Sequence, residues 1–224
     1  MNLTLFDLDG TLIPGDSDHA FCEFLAGLGW TDGAAWRARN DAFYADYQRG
    51  TLDLPAYVAF ATAPWRARPL AEALAARTRF MHEVIAPMIR PQALALVRRH
   101  QTAGDRVAIV TATNRFVTEP IAQAFGVDQL LAVELACGEN GEFTGAITGV
   151  PTFREGKVKR VDDWLAQQGL DWGDFDQTWF YSDSTNDLPL LERASHPVAV
   201  QPGAALRAVA LARGWPILNL FDQA

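Results

Sequence analysis

The sequence predicts an α/β fold: a doubly wound parallel sheet with an α-helical domain inserted after its first strand. Three observations carry this expectation. An apolar run at the start, Leu3-Thr4-Leu5-Phe6, stops at Asp7-Leu8-Asp9-Gly10-Thr11-Leu12 and reads as a buried strand followed by a turn. From about residue 91 onward, short apolar runs alternate with segments of helical period, the pattern of a parallel sheet wrapped by helices. Between the two, residues 15–88 hold helical patterns and no convincing strand. Residues 1–14 and 89–224 are therefore expected to form the α/β core, and residues 15–88 a helical insert.

Taken in order, the first helix follows Gly15, with Asp16, Ser17 or Asp18 as its cap, apolar spacing at Phe21, Phe24, Leu25 and Leu28, and Gly29 at its end. A second runs from Gly33 to Gln48 with Trp36, Phe43 and Tyr47 on one side. Leu54–Ala61 and Pro69–Ile85 are also expected to be helical, separated at Ala63-Pro64-Trp65. Pro91–Ala103 is a helix with proline in its first turn and Gly104 beyond its end. Arg106–Ala112 is a strand, and a helix follows it to Gly126. Leu130–Ala136 and Glu142–Thr148 flank the turn Glu139-Asn140-Gly141 and form a hairpin. A helix from Glu155 to just before Gly169, a strand at Thr178–Tyr181, a helix at Asp187–Ala194, Pro197–Val200, Ala204–Ala212 and Ile217–Leu220 complete the alternation.

Composition narrows the function. A formal charge of −8 disfavours nucleic acid or an anionic membrane as the main partner. No apolar run approaches the length of a membrane span, and no basic segment precedes an apolar one at the N-terminus, so a cytoplasmic protein is expected. Cys22 and Cys137 are far apart and have no metal-ligand spacing, and buried thiols in a reducing compartment are expected.

Three expected strands end in reactive groups: Asp7 with Asp9, Thr111 with Thr113 and Asn114, and Asp183 with Asn186 and Asp187. In a doubly wound sheet these ends share one edge, where ligands bind. Alternation along a strand sends Asp7 and Asp9 to the same side, and two such acids repel unless a cation or a proton intervenes. The turn after Thr111 suits a phosphate, through its hydroxyl and main-chain amides. Asn186 and Asp187 could cap the following helix as well as serve the site. Among 19 basic residues only Lys157 and Lys159 are lysines. On a helical wheel Lys157 falls beside the apolar stripe of Val158, Val161, Trp164 and Leu165, whereas Lys159 faces outward, four residues before Asp163. Acids, a hydroxyl and one inward lysine on one edge suit a metal-assisted phosphoryl transfer.

Asp7-Leu8-Asp9-Gly10-Thr11, Thr111, Lys157 and Asp183-Ser184-Thr185-Asn186-Asp187 are similar, in type and order, to the four signature motifs of the haloacid dehalogenase superfamily. The hairpin segment Glu142-Phe143-Thr144-Gly145 adds a resemblance to its phosphoserine phosphatase-like branch, and Ser182 departs from it where that branch usually has glycine. The resemblance implies a HAD-like Rossmannoid core with residues 15–88 as a type 1 helical cap. It implies a phosphatase in which Asp7 is the nucleophile and Asp9 the acid and base, the latter an acid that dehalogenases lack. Mg²⁺ would be held around Asp7, Asp9 and Asp183, with Asp187 behind them. Leu8, Gly10, Thr111, Ala112, Thr113, Lys157 and Asn186 would bind the phosphate. Asp16 stands where this branch carries a substrate-reading glutamate, and it is expected either to read an amine or imidazole or simply to cap its helix. The implied partner is a small phosphorylated metabolite, the protein acting as monomer or homodimer. A phosphotransferase or phosphomutase, or a non-catalytic Mg²⁺ or phosphate-binding module, remain alternatives.

Overall fold

The computed structural model describes residues 1–221. The N-terminal apolar run forms β1 (Asn2–Phe6). Every element between it and the next strand is helical: α1 (Ser17–Gly27), α2 (Gly33–Arg49), α3 (Leu54–Arg66), α4 (Leu70–Phe80), a π-helical turn (Met81–Ile85) and α5 (Ala86–Met88). There follow α6 (Pro91–Thr102), β2 (Arg106–Asn114), α7 (Arg115–Ala124), β3 (Leu130–Cys137), β4 (Phe143–Thr148), α8 (Glu155–Ala166), β5 (Gln177–Ser182), α9 (Leu188–Arg193), β6 (His196–Val200), α10 (Ala204–Arg213) and β7 (Ile217–Leu218). Among the described residues the strands form one sheet in the order β4-β3-β2-β1-β5-β6-β7. All pairings are parallel except the β3–β4 hairpin.

The sheet is covered on both faces, as its near-continuous apolar strands require. Leu3 and Leu5 of β1 join Val161, Trp164 and Leu165 of α8 and residues of α9 and α10. Phe6 points the other way, into a core shared with α6, α7 and the helices before β2. That second core does not stop at the sheet. Trp65 of α3 stacks on Phe116 of α7 with ring centroids 4.1 Å apart, and Phe21 of α1 meets Phe80 of α4 at 4.9 Å. Trp65 also meets Phe143 of β4 edge-on, so α3 lies along the hairpin.

Three boundaries differ from expectation. Pro64 does not end α3. It sits in the last turn, where a proline forfeits a single helical hydrogen bond, and the burial of Trp65 beside it holds the turn in place. The next helix is not one piece to Ile85: beyond Phe80 it widens into the π turn, in which the Ala86 amide donates to the Met81 carbonyl. β2 runs two residues past Ala112, because Asn114 still pairs with Val133 after a register shift. Cys22 is buried as expected, but Cys137 is exposed, at the last residue of β3 beside the hairpin turn.

One polar network crosses the α6 face of the core. His100 of α6 is 6 % exposed, with Nδ1 2.6 Å from Asp105 Oδ2 and Nε2 2.8 Å from the Tyr181 hydroxyl. Thr4 of β1 adds its hydroxyl to the same carboxylate at 3.0 Å. Burial lowers the His100 pKa, against the pull of Asp105, so the folded imidazole is neutral and bridges an acceptor and a phenol. Unfolded, it titrates near the ordinary value of about 6.5. The unfolded chain then binds the proton more readily, so this residue's contribution is complete above that value and is lost as the pH falls below it. His100→Gln is expected to cost about 1–3 kcal/mol at pH 8, because it strips partners from a buried carboxylate and a buried hydroxyl. Urea denaturation at pH 8 and pH 5 should show the wild type's advantage shrinking at the lower pH.

Candidate active site

The sheet order explains why the reactive strand ends meet. β1 lies between β2 and β5, parallel to both, so their carboxyl ends are neighbours. The Asp7 amide extends the β1–β5 ladder by donating to the Tyr181 carbonyl at 2.9 Å. Asp7 continues the alternation of Leu3 and Leu5 and therefore faces the side of the sheet covered by α8. There it meets Lys157, whose Nζ lies 2.8 Å from Asp7 Oδ1 and 2.7 Å from Asp187 Oδ2. Lys159, by contrast, is exposed and pairs with Asp163.

Lys157 is 1 % exposed, and it reaches this position because of how α8 begins. Arg154 adopts a positive φ of 53° just before the helix. A Cβ on Gly156 would collide with the Pro151 carbonyl oxygen, so only glycine fits this turn. Burial disfavours the ammonium, but Asp187 and Asp7 outweigh it and hold the Lys157 pKa above the ordinary value. The carboxylates feel burial most. It raises Asp7 despite Lys157, lifts Asp187 to about 6, and pushes Asp183 well up with help from the charges of Asp7 and Asp187.

Neutral groups fix each acid further. The Leu8 amide hydrogen-bonds the Asp7 carboxylate, and the Thr11 hydroxyl lies 3.1 Å from Asp7 Oδ2 while accepting the Asp183 amide at 3.1 Å. Gly10 has a φ of +73°, and a Cβ there would strike the Asp183 carboxylate, so the glycine leaves room for that acid. Its own amide donates to the Gly15 carbonyl. Ser182, the departure from the branch pattern, donates to Asp187 Oδ2 at 2.7 Å and accepts the Ser184 amide at 3.2 Å. Ser184, and not Asn186 or Asp187, caps the short turn before α9: its hydroxyl accepts the Asn186 amide, and the Asp187 carboxylate is occupied by Lys157. The Asn186 side chain donates to the Tyr47 carbonyl at the end of α2, at 3.0 Å.

Asp9 Oδ1 accepts the Ser17 amide at 2.7 Å and Oδ2 accepts the Thr113 hydroxyl at 2.8 Å. Burial, reinforced by the charge of Asp16, lifts its carboxyl to about 7. The Thr113 amide is held by the Thr111 hydroxyl oxygen at 3.1 Å, which leaves the Thr111 proton free to donate. Asp16 is the N-cap of α1, accepting the His19 amide at 2.8 Å, and it also lines a cavity shared with Asp7, Asp9, Asp18, Thr111, Ala112 and Thr113. The opposite wall is aromatic and comes from α2 and α3: Phe43, Tyr44, Tyr47 and Tyr57.

Among the described residues no three acidic, imidazole or thiol side chains form a cage for a metal. The reason is visible in the hydrogen bonds, since Asp187 is drawn to Lys157 and Ser182, and Asp9 to Ser17 and Thr113. Asp7 and Asp183 remain, both beside the Thr11 hydroxyl, and the Asp9 main chain follows two residues after Asp7. Two hard carboxylates and a carbonyl suit Mg²⁺, which takes few protein ligands and completes its shell with water and phosphate oxygens.

Sequence reasoning did not single out Thr11, Ser182 or Tyr57 for the site, and it weighed Asp18 only as a cap. A hydroxyl within or beside an acid motif was the available signal for the first two. Nothing local marked Tyr57, which reaches the cavity from a helix distant in sequence.

A family profile of haloacid dehalogenase-like hydrolases matches residues 4–192. A histidinol-phosphatase from Neisseria meningitidis serogroup C (strain 8013) is 43% identical over 218 residues, which cover 97% of this chain and 98% of that protein. A solved structure of a protein of unknown function from Bordetella pertussis Tohama I superposes with a TM-score of 0.92 at 48% identity, covering 98% of this chain and 99% of that one. A substrate-bound phosphoserine phosphatase complex shares the fold, with a TM-score of 0.67 at 18% identity over 96% of this chain and 91% of that one. With its acid pair at the end of a central strand and this match over most of its length, the chain belongs to the haloacid dehalogenase-like hydrolase family.

Proposed function

We propose that this chain is a Mg²⁺-dependent phosphomonoesterase that hydrolyses a small phosphorylated metabolite through an aspartyl-phosphate on Asp7. The observation that carries the reading is the buried Asp7 carboxylate, gripped by Lys157 at 2.8 Å, with a second acid, Asp9, on the same cavity. An Asp7 oxygen attacks phosphorus, the bond from phosphorus to the leaving oxygen breaks, and Asp9 gives that oxygen its proton. Asp9, now a carboxylate, takes a proton from the water that attacks the phosphoryl group. The Asp7–phosphorus bond then breaks, releasing inorganic phosphate. A pKa of about 7 suits a group that must both give and take a proton near neutrality.

Lys157, the Thr111 hydroxyl and the Leu8 and Ala112 amides balance charge on the transferring group. Gly10 serves by its shape, since its amide is used by Gly15, and the Leu8 and Thr113 amides and the Asn186 side chain must leave their present partners to join. Asp7, Asp183 and the Asp9 carbonyl would hold Mg²⁺, which would supply Lewis-acid stabilisation of the phosphoryl oxygens, with Asp187 acting through Lys157. Helices α1–α5 serve as the cap that reads the leaving group and excludes water. The acidic and aromatic cavity, and the name of the Neisseria relative, support a phosphomonoester bearing an amine or imidazole, with histidinol phosphate foremost. Among the described residues no helix is long and apolar enough to cross a membrane. Action in the cytoplasm fits the unpaired thiols, and the acting form is proposed to be a monomer or homodimer.

The test is release of free phosphate from a panel of phosphomonoesters with Mg²⁺. Asp7→Asn is expected to abolish turnover and leave the fold intact, and beryllium fluoride to bind only the parent. Transfer of the phosphoryl group to another alcohol, with no free phosphate, would identify a phosphotransferase instead. EDTA should remove activity and Mg²⁺ restore it; full turnover in metal-free buffer would refute the metal assignment. Asp16→Asn is expected to lower kcat/KM for cationic monoesters far more than for p-nitrophenyl phosphate. An equal loss on both would leave Asp16 as a helix cap.

A further inference from the structure

Asp7 and Asp18 are the two most deeply buried acids of this cavity, and of the two Asp18 has no basic partner among the described residues. It is 4 % exposed, in the first turn of α1, and lines the cavity. Its hydrogen-bond partners are neutral: Asn114 Nδ2 donates to Oδ1 at 3.1 Å, and the Tyr57 hydroxyl bonds the same carboxylate. The other deeply buried acids are answered differently. Asp7 and Asp187 share Lys157, and Asp105 meets His100. Neither lysine nor arginine is among the described residues lining the cavity, and the nearby His19 is engaged by Asp41 at 2.9 Å.

Asp18 is also held in place. Asn114 accepts the Val117 amide through its own Oδ1, as the cap of α7, which fixes the direction in which its Nδ2 points. Asp16, by comparison, commits Oδ1 to capping α1. A buried carboxylate without a counter-charge is a stability cost that packing does not recover. Such a cost is characteristic of functional sites, where a ligand supplies what the fold withholds. Phe43, Tyr44 and Tyr57 also line the cavity, and aromatic rings attract a delocalised cation.

We propose that Asp18 is a specificity-determining residue, the counter-charge for an ammonium or imidazolium on the leaving group of the substrate. The proposal rests on the phosphomonoesterase reading for its substrate, and adds a residue to the recognition of that substrate. Asp18 pairs with the cation while Asn114 and Tyr57 keep its carboxylate aimed at the cavity. Asp16 adds to the negative potential from the helix cap beside it.

The experiment compares wild type, Asp18→Asn and Tyr57→Phe. Each is assayed on histidinol phosphate, phosphoethanolamine and p-nitrophenyl phosphate with Mg²⁺, and each is melted with and without histidinol, which carries the cation and no phosphate. In Asp18→Asn the ratio of kcat/KM for the cationic monoesters to that for p-nitrophenyl phosphate should fall roughly a hundredfold, the scale of truncating one partner of a buried charge pair. Its Tm should be equal to or above that of the wild type, and histidinol should raise the Tm of the wild type but not of the variant. Tyr57→Phe removes a hydrogen bond and no charge, so its ratio should fall less. An unchanged ratio, or a lowered Tm with equal losses on all three substrates, would overturn the proposal and make Asp18 structural. A wild type that hydrolyses none of the esters would sink the phosphomonoesterase reading alone. The histidinol melting shift would then decide the role of Asp18 by itself: absent from the wild type, or equal in wild type and Asp18→Asn, it would overturn the proposal.

Discussion

The structure depends on the burial of more negative than positive charge at one point of the sheet. Asp7, Asp183 and Asp187 surround a single ammonium, that of Lys157. Removing ions from water costs several kcal/mol each even after relaxation, and only close partners and hydrogen bonds return it. The surrounding geometry answers this cost. Gly156 and the positive φ of Arg154 set the start of α8 so that its lysine arrives between two acids. The Thr11 hydroxyl bonds the Asp7 oxygen that Lys157 does not reach, and the Ser182 hydroxyl joins Lys157 on the same Asp187 oxygen. What remains is an acid pair, Asp7 and Asp183, whose raised pKa values express charge still seeking a proton or a cation. A site of this kind is incomplete by construction, and the phosphoryl chemistry proposed for it uses that incompleteness.

Much of this was legible in the sequence. The sheet could be read because its strands are short, apolar and closed by polar turns. The doubly wound arrangement then brings the ends of β1, β2 and β5 together with no need to know any side-chain contact. Lys157 could be separated from Lys159 because helical periodicity alone tells an inward position from an outward one. Less was legible where a tertiary partner overrides local preference. Pro64 looked like a break, yet one lost hydrogen bond in a last turn is outweighed by Trp65 stacked on Phe116. Asp187 looked like a cap because its position favours capping, but a buried lysine competes more strongly for its oxygens than an exposed amide does. Tyr57 and Asp18 were invisible as a pair because they come from different helices and meet only in the cavity.

The helices before β2 are bound to the rest of the molecule unequally. α3 and α4 are embedded: Trp65 and Phe80 sit in the same apolar core as Phe6 and Leu135, and Arg66 donates to the Thr144 carbonyl of β4 at 2.8 Å. β4 is an edge strand, and α3 lies along it, so a helix protects an edge that would otherwise be open to pairing. α2 is different. Asn40 is its only fully buried residue among those described. Its apolar side chains Trp36 and Phe43 pack with Phe60 in a small separate cluster, and its far end touches the core through Tyr47, by the Asn186 hydrogen bond and a ring contact with Phe153.

This unequal attachment bears on how such an enzyme can change over generations. The residues of α2 that face the cavity, Phe43, Tyr44 and Tyr47, stand on a helix whose removal from the main core costs little packing. Substitutions there escape the penalty that follows any change to Trp65, Phe80 or Gly156. On the proposed reading, novelty in the leaving group can therefore be explored on one wall while the acids opposite, and the lysine behind them, stay fixed.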